Sequence, residues 1–320
     1  MFSDNATRKK KMPEHSQITS LISRLKREGE SRGYYQPLGA QHHAVFTDKT
    51  PTLLVTFECF SDILADDDNG QPLGFDLVAD NGWSHLGILS AGCTWFRDPA
   101  VYAYFDRLID DGFFEDFDQI IFMGAGMNGY GAAAFSVAAP GCTVILMHPQ
   151  ATLDPRVAEW DHRYLSMRST SFTDRYGYGP EMVDGASQVF ILYDPEEDMD
   201  AMHAALFTRD HVKKLRCRHL GHHILDDLIH LDILQPLLET ANSDGDVAAA
   251  FYQLFRARHS YSPYLRRLLM QLEDNDRTML AGLLCRHVTN RMDAPRFSRR
   301  LTAIERKLAD AGRILPQVRT

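Results

Sequence analysis

The fold is decided by Gln119-Ile-Ile-Phe-Met-Gly124-Ala-Gly126-Met-Asn-Gly129-Tyr-Gly131-Ala-Ala-Ala-Phe-Ser-Val-Ala-Ala-Pro140-Gly141-Cys-Thr-Val-Ile-Leu-Met-His148-Pro149. An apolar run, a glycine-packed turn, a small-residue run of about ten residues, a Pro-Gly stop and a second apolar run spell strand, helix, strand. Two short buried strands around such a helix make a right-handed βαβ unit of a parallel sheet. In open sheets of this kind function gathers at the carboxyl ends of the strands, where this turn sits.

Two readings of the turn compete. Gly124-x-Gly126-x-x-Gly129 matches the dinucleotide fingerprint, whose glycines let the backbone approach a pyrophosphate at a helix N-terminus. That fingerprint calls for an acidic residue closing the second strand, and here the strand closes on Met147-His148-Pro149. The unit also lies mid-chain, after at least two other strands. The second reading is a nucleophile elbow, a sharp strand-to-helix turn of the form G-x-S-x-G. Gly124-Ala-Gly126-Met-Asn128-Gly129-Tyr-Gly131-Ala132 resembles the Gly-x-Ser-Met-Gly-Gly-Tyr-Gly-Ala elbow of the α/β-hydrolase family, with Gly126 in the serine's place and Asn128 replacing a glycine. Pro149 to Pro155 also resembles a segment of bacterial proteins of this kind.

Carried over position by position, the resemblance implies Gly126 at the nucleophile position and His222 as general base. Asp194 is the first choice to orient His222, with Asp198 and Asp200 as rivals. The backbone N–H of Met127, beside Asn128, and one from Glu58 or Cys59 after the early strand would form the oxyanion hole. The order nucleophile, acid, histidine is the one this fold uses. Glycine, however, brings no oxygen, so no acyl-enzyme route is open. Three functions follow: a catalytically degenerate hydrolase-like protein with a binding or interaction role, an ester or acyl hydrolase using His222 with water or an unconventional nucleophile, and a dinucleotide-binding protein. The implied ligand is a small acyl or sugar-like molecule, and no cofactor is implied.

Outward from the elbow, Ser16 to Arg32 carries Ile18, Leu21, Ile22 and Leu25 at helical spacing. Thr52-Leu-Leu-Val-Thr-Phe57 reads as the first strong strand, and Asp66-Asp-Asp-Asn-Gly70 as a turn lacking the alternating ligands of a calcium loop. A strand at Gly87 to Ser90 and an amphipathic helix from Ala100 to Gly112 lead into the central strand. Ala151 to Gly185 is a long aromatic insertion that suits a lid or substrate wall as well as a surface excursion. Strands follow at Val189 to Tyr193 and near Leu215, then the histidine-rich run Arg218 to His223. From Asp246 onward the pattern is helical, broken at Pro263 and Pro295. The expected organisation is a basic segment and docking helix (1–33), a mostly parallel α/β-hydrolase-like sheet with helices on both faces (34–240), and a helical appendage (241–320).

Hydrophobic residues make up 44% and charged residues 24% of the 320, which is globular composition. No apolar run reaches the length of a membrane span, and the start is polar with no signal region, so a cytoplasmic location is expected. The five cysteines (59, 93, 142, 217, 285) have no CxxC spacing, and neither a disulfide framework nor a thiolate metal site is indicated. His223, Asp227 and His230 share a helical face at ligand spacing, yet no metal is expected there. Charge is segregated: residues 33–250 hold 12 basic and 33 acidic residues, whereas 251–320 hold 14 basic and 6 acidic. The acidic body argues against nucleic acid, and the basic tail suits an acidic protein partner.

Overall fold

Among the described residues, runs of β-branched and aromatic residues pair into eight strands: β1 (Gly33–Leu38), β2 (His42–Thr47), β3 (Thr52–Cys59), β4 (Ser84–Ser90), β5 (Gln119–Ala125), β6 (Thr143–Met147), β7 (Gln188–Tyr193) and β8 (Val212–Arg216). The computed structural model describes residues 15–65, 70–243 and 245–316. Arg8 to Lys11 and the turn residues Asp66 to Asn69 lie outside the described residues.

The strands form one sheet in the order β1-β2-β4-β3-β5-β6-β7-β8. β2 runs antiparallel to both its neighbours, and every pair from β4 through β8 is parallel. This is an α/β-hydrolase-like sheet, and its order differs from the 3-2-1-4-5-6 order of dinucleotide-binding sheets. The inner strands β3 to β7 are apolar almost throughout and buried on both faces, as parallel strands covered by helices must be. Period-2 alternation sorts the two cores. Val45 and Leu89 pack with Leu21 and Leu25 of the helix His15–Arg32 on one face. Ala44, Phe46, Val55 and Phe57 pack on the other face with the helices Pro99–Asp110 and Met127–Phe135.

Register places the strand ends that matter side by side. Met123 pairs with Thr56 and Ile145, and Ile145 with Phe190. The carboxyl ends of β5, β6 and β7 therefore deliver the elbow, His148 and Asp194 to one edge.

The chain divides into two units, residues 1–251 and 252–320. The helix His15–Arg32 and the helix Leu234–Asn242 belong to the first. The second is built from the helices Ser262–Asp274, Thr278–Thr289 and Pro295–Asp310. Gly282 lets Ile304 and Leu315 approach within 3.0 Å of where its Cβ would stand, and Arg286 pairs with Glu305 at 2.7 Å. Among the described residues no helix is long and apolar enough to cross a membrane.

Candidate active site

β5 ends at Ala125 and the next helix begins at Met127, so the chain must reverse at a single residue. That residue is Gly126, at φ 57° and ψ −122°, a region open to glycine and strained for L side chains. The turn is pinned on both sides: Gly126 N–H donates to the Met147 carbonyl at 2.9 Å, and Tyr130 N–H donates to the Gly126 carbonyl at 3.0 Å. It is also tight, because a Cβ on Gly124 would stand 2.2 Å from the Asn128 carbonyl oxygen. The turn is a sharp strand-to-helix reversal at a residue that carries no side chain.

The space beside Gly126 belongs to one imidazole. Among the described residues, the side-chain atoms within 4 Å of a Cβ built on Gly126 are Cε1 and Nδ1 of His148, at 3.4 and 3.6 Å. His148 follows β6 directly and adopts φ 37°, uncommon for a residue with a Cβ. Its N–H donates to the Leu192 carbonyl at 2.7 Å. Burial holds the ring below the usual histidine range, opposed by the negative charge of Asp200.

His222 lies behind it, with ring centroids 6.3 Å apart and the rings steeply crossed. Its Nδ1 is 3.2 Å from Asp200 Oδ2, and its Nε2 is 3.3 Å from Glu197 Oε2. The Asp200 contact raises the pKa of His222 above its ordinary value, against the opposing effect of partial burial. Asp200 is itself buried, which pushes its pKa up, but His222 and Arg163 outweigh that and hold it ionised. Arg163 Nη1 donates to Asp200 Oδ1 at 2.6 Å. The same guanidinium forks onto Asp161, with Nη2 to Oδ2 at 2.9 Å and Nε to Oδ1 at 3.1 Å. Asp161 also meets Nε2 of the buried His203 at 3.0 Å. Opposite charges thus alternate from Asp200 through Arg163 to Asp161, and His222 joins them when protonated.

Several expected partners stand elsewhere. Asp194, first choice for orienting His222, accepts from Gly221 N–H at 2.8 Å and from Glu196 N–H at 3.0 Å. Its carboxylate shapes the histidine loop, and the rival Asp200 takes the imidazole. Asp198 is exposed in the first turn of the helix Asp198–Leu206. Glu58 turns its carboxylate onto Leu73 N–H at 2.8 Å and Gly74 N–H at 3.0 Å, where it caps a short helix. Cys59 is buried, receives the Ser61 hydroxyl at 3.2 Å, and has a pKa raised mainly by burial, which suits a packed thiol. Asn128 Nδ2 donates to Asp62 at 3.4 Å, which brings a carboxylate beside the proposed oxyanion donors. Met127 opens the elbow helix, where the first-turn N–H groups have no intrahelical acceptor. His230 Nδ1 contacts the Asp226 carbonyl and Asp227 is buried; among the described residues no group of three metal-ligating side chains gathers.

Sequence reasoning missed His148, Arg163 and Glu197. His148 carried a signal, since it is the residue at which β6 stops. Arg163 carried none, because the insertion that brings it has no periodicity.

No protein-family model and no curated protein matches this chain. Solved structures similar to it include a putative esterase from Staphylococcus aureus, 12% identical with a TM-score of 0.42, covering 76% of this chain and 97% of that one. A second is an S-formylglutathione hydrolase from Agrobacterium tumefaciens, 10% identical with a TM-score of 0.44, covering 65% and 91%. A third is the capsule O-acetyltransferase of Neisseria meningitidis serogroup A, 13% identical with a TM-score of 0.41, covering 63% and 94%.

Proposed function

We propose that this chain is a catalytically degenerate α/β-hydrolase-like protein whose elbow binds a small acyl or sugar-like ligand without forming an acyl-enzyme. The observation that carries the reading is Gly126: the elbow backbone is kept, and the position that must deliver an oxygen has none. The state of His222 supports it. Its two ring nitrogens stand 3.2 and 3.3 Å from carboxylate oxygens of Asp200 and Glu197, and no atom of the ring lies within 4 Å of a Cβ at position 126.

A second reading, ester hydrolysis by water, is favoured by one feature. The two imidazoles are shifted in opposite directions, His148 down and His222 up, the division expected of a base and an acid. For dinucleotide binding no such support exists, because the strand after the glycine turn ends in Met147-His148 rather than in an acidic residue.

The two surviving readings separate in one assay, hydrolysis of short and long acyl p-nitrophenyl esters by the parent chain and by His222→Ala, His148→Ala and Gly126→Ser variants. Degeneracy predicts a parent at buffer background. Parent turnover that disappears with either histidine substitution would overturn degeneracy in favour of water-based hydrolysis.

A further inference from the structure

The elbow presents an imidazole to the nucleophile's position, and it is the unexpected one. A base that takes a proton from an attacking oxygen must stand within hydrogen-bond reach of that oxygen. Beyond its chain neighbours, a Cβ at position 126 has Cε1 and Nδ1 of His148 as its nearest side-chain atoms, at 3.4 and 3.6 Å, while no atom of His222 lies within 4 Å of it. His222 is turned instead to Asp200 and Glu197. His148 takes φ 37° at the end of β6, its N–H bonds to the Leu192 carbonyl, and its ring reaches position 126. Backbone strain of this kind at the edge where the strands converge is an observed outlier that asks for a function.

We infer that His148, through Nδ1, is the base this elbow offers to an oxygen at position 126, and that His222 holds the surrounding charge in place without touching that oxygen. The inference rests on the reading above only in taking position 126 as the nucleophile's place. With a serine installed there, the hydroxyl proton passes to His148 Nδ1 as the oxygen bonds to the electrophile. With a fluorophosphonate probe, the O–P bond forms, the P–F bond breaks, fluoride leaves, and the proton is released from Nδ1 to solvent. The groups facing His148 are Asp200, His222, Arg163 and its own backbone carbonyl. Asp200 and that carbonyl favour its cation, while burial above all, with His222 and Arg163, favours the neutral ring that a base requires.

The test is the rate of fluorophosphonate labelling of the full-length Gly126→Ser chain, alone and combined with His148→Ala or with His222→Ala, each checked for folding by circular dichroism. The expected result is labelling that falls about 10²- to 10⁴-fold with His148→Ala, a larger fall than with His222→Ala, and that is partly restored by added imidazole. Its pH profile should inflect below 6.5, the ordinary histidine value, in the direction His148 is shifted. Loss with His222→Ala instead, an inflection above 6.5, or a folded Gly126→Ser chain that does not label would each overturn the inference. A second measurement needs no substitution: ¹⁵N chemical shifts of the histidine rings in the parent must show the His148 tautomer with its lone pair on Nδ1 at pH 7. A proton on that nitrogen would overturn the assignment even if the substituted chain fails to fold. Degeneracy fails separately, through ester turnover by the parent.

Discussion

At position 126 a glycine reaches φ 57° freely, whereas a residue with a Cβ carries about 1–3 kcal/mol of strain there. The neighbouring space is ordinary, since the nearest His148 atom would be 3.4 Å away. Gly126→Ala is therefore expected to lower unfolding stability by about 1–3 kcal/mol in urea titration while leaving the fold intact. Gly124→Ala should cost more by the same measurement, because its Cβ would meet a backbone oxygen at 2.2 Å that cannot step aside. Protonation offers a second residue-scale prediction. The folded pKa of His222 lies above 6.5, so its pairing with Asp200 contributes stability fully below pH 6.5 and loses it as pH rises through the folded value. Since His222 is 38% exposed, the effect is screened and modest. The urea midpoint of His222→Gln should fall further below the parent's at pH 6 than at pH 9; an equal or reversed gap would show that the pair is not formed.

At the scale of elements, the insertion between β6 and β7 reaches the helix Asp198–Leu206 through Arg163, which pairs with two buried carboxylates at once. Arg163→Met would leave Asp161 and Asp200 buried without their cation, with an expected loss of about 3–5 kcal/mol. The same substitution should move the His222 imidazole titration seen by NMR, because Asp200 loses its second partner. How far these elements could be read in the sequence depended on how local their cause is. The strand-turn-helix-strand unit was legible because glycine spacing and a Pro-Gly stop are local signals, and β3, β5, β6 and β7 because their apolar runs are continuous. β1 and β2 were not: the pair His42-His43 interrupts the alternation of β2, and Pro37 interrupts β1, where it fits because β1 is an edge strand whose N–H groups need no partner on one side. The Asp194 assignment erred because chain order names the right strand end but not which carboxylate the following helix turns inward. That choice is made by the turn Asp194 itself closes with Gly221.

At the scale of the whole molecule, charge is distributed more unevenly than a net value of −9 suggests. Residues 251–320 hold a surplus of eight positive charges, and Arg296, Arg299, Arg306 and Lys307 of one helix are all exposed. A patch, rather than the net charge, governs binding to a charged surface. The intact chain is expected to be retained by a sulfonate cation exchanger at pH 7 and low salt, and to pass through once those four side chains are replaced by glutamine. Passage of the parent itself would show that the surplus forms no usable patch, and would remove the ground for an acidic partner.

The strand ends are joined beyond the sheet proper. Gly126 donates to Met147, His148 to Leu192, and Cys217 to Tyr193, so that rungs run from the elbow across β6 and β7 to the histidine loop. Amide protons on such rungs reach water only when neighbouring strands part together. Deuterium uptake at Gly126, His148 and Cys217 should consequently share one slow opening, distinct from the faster exchange of the insertion. The elbow and its two imidazoles keep their mutual spacing not because each is separately rigid but because none can leave its place alone.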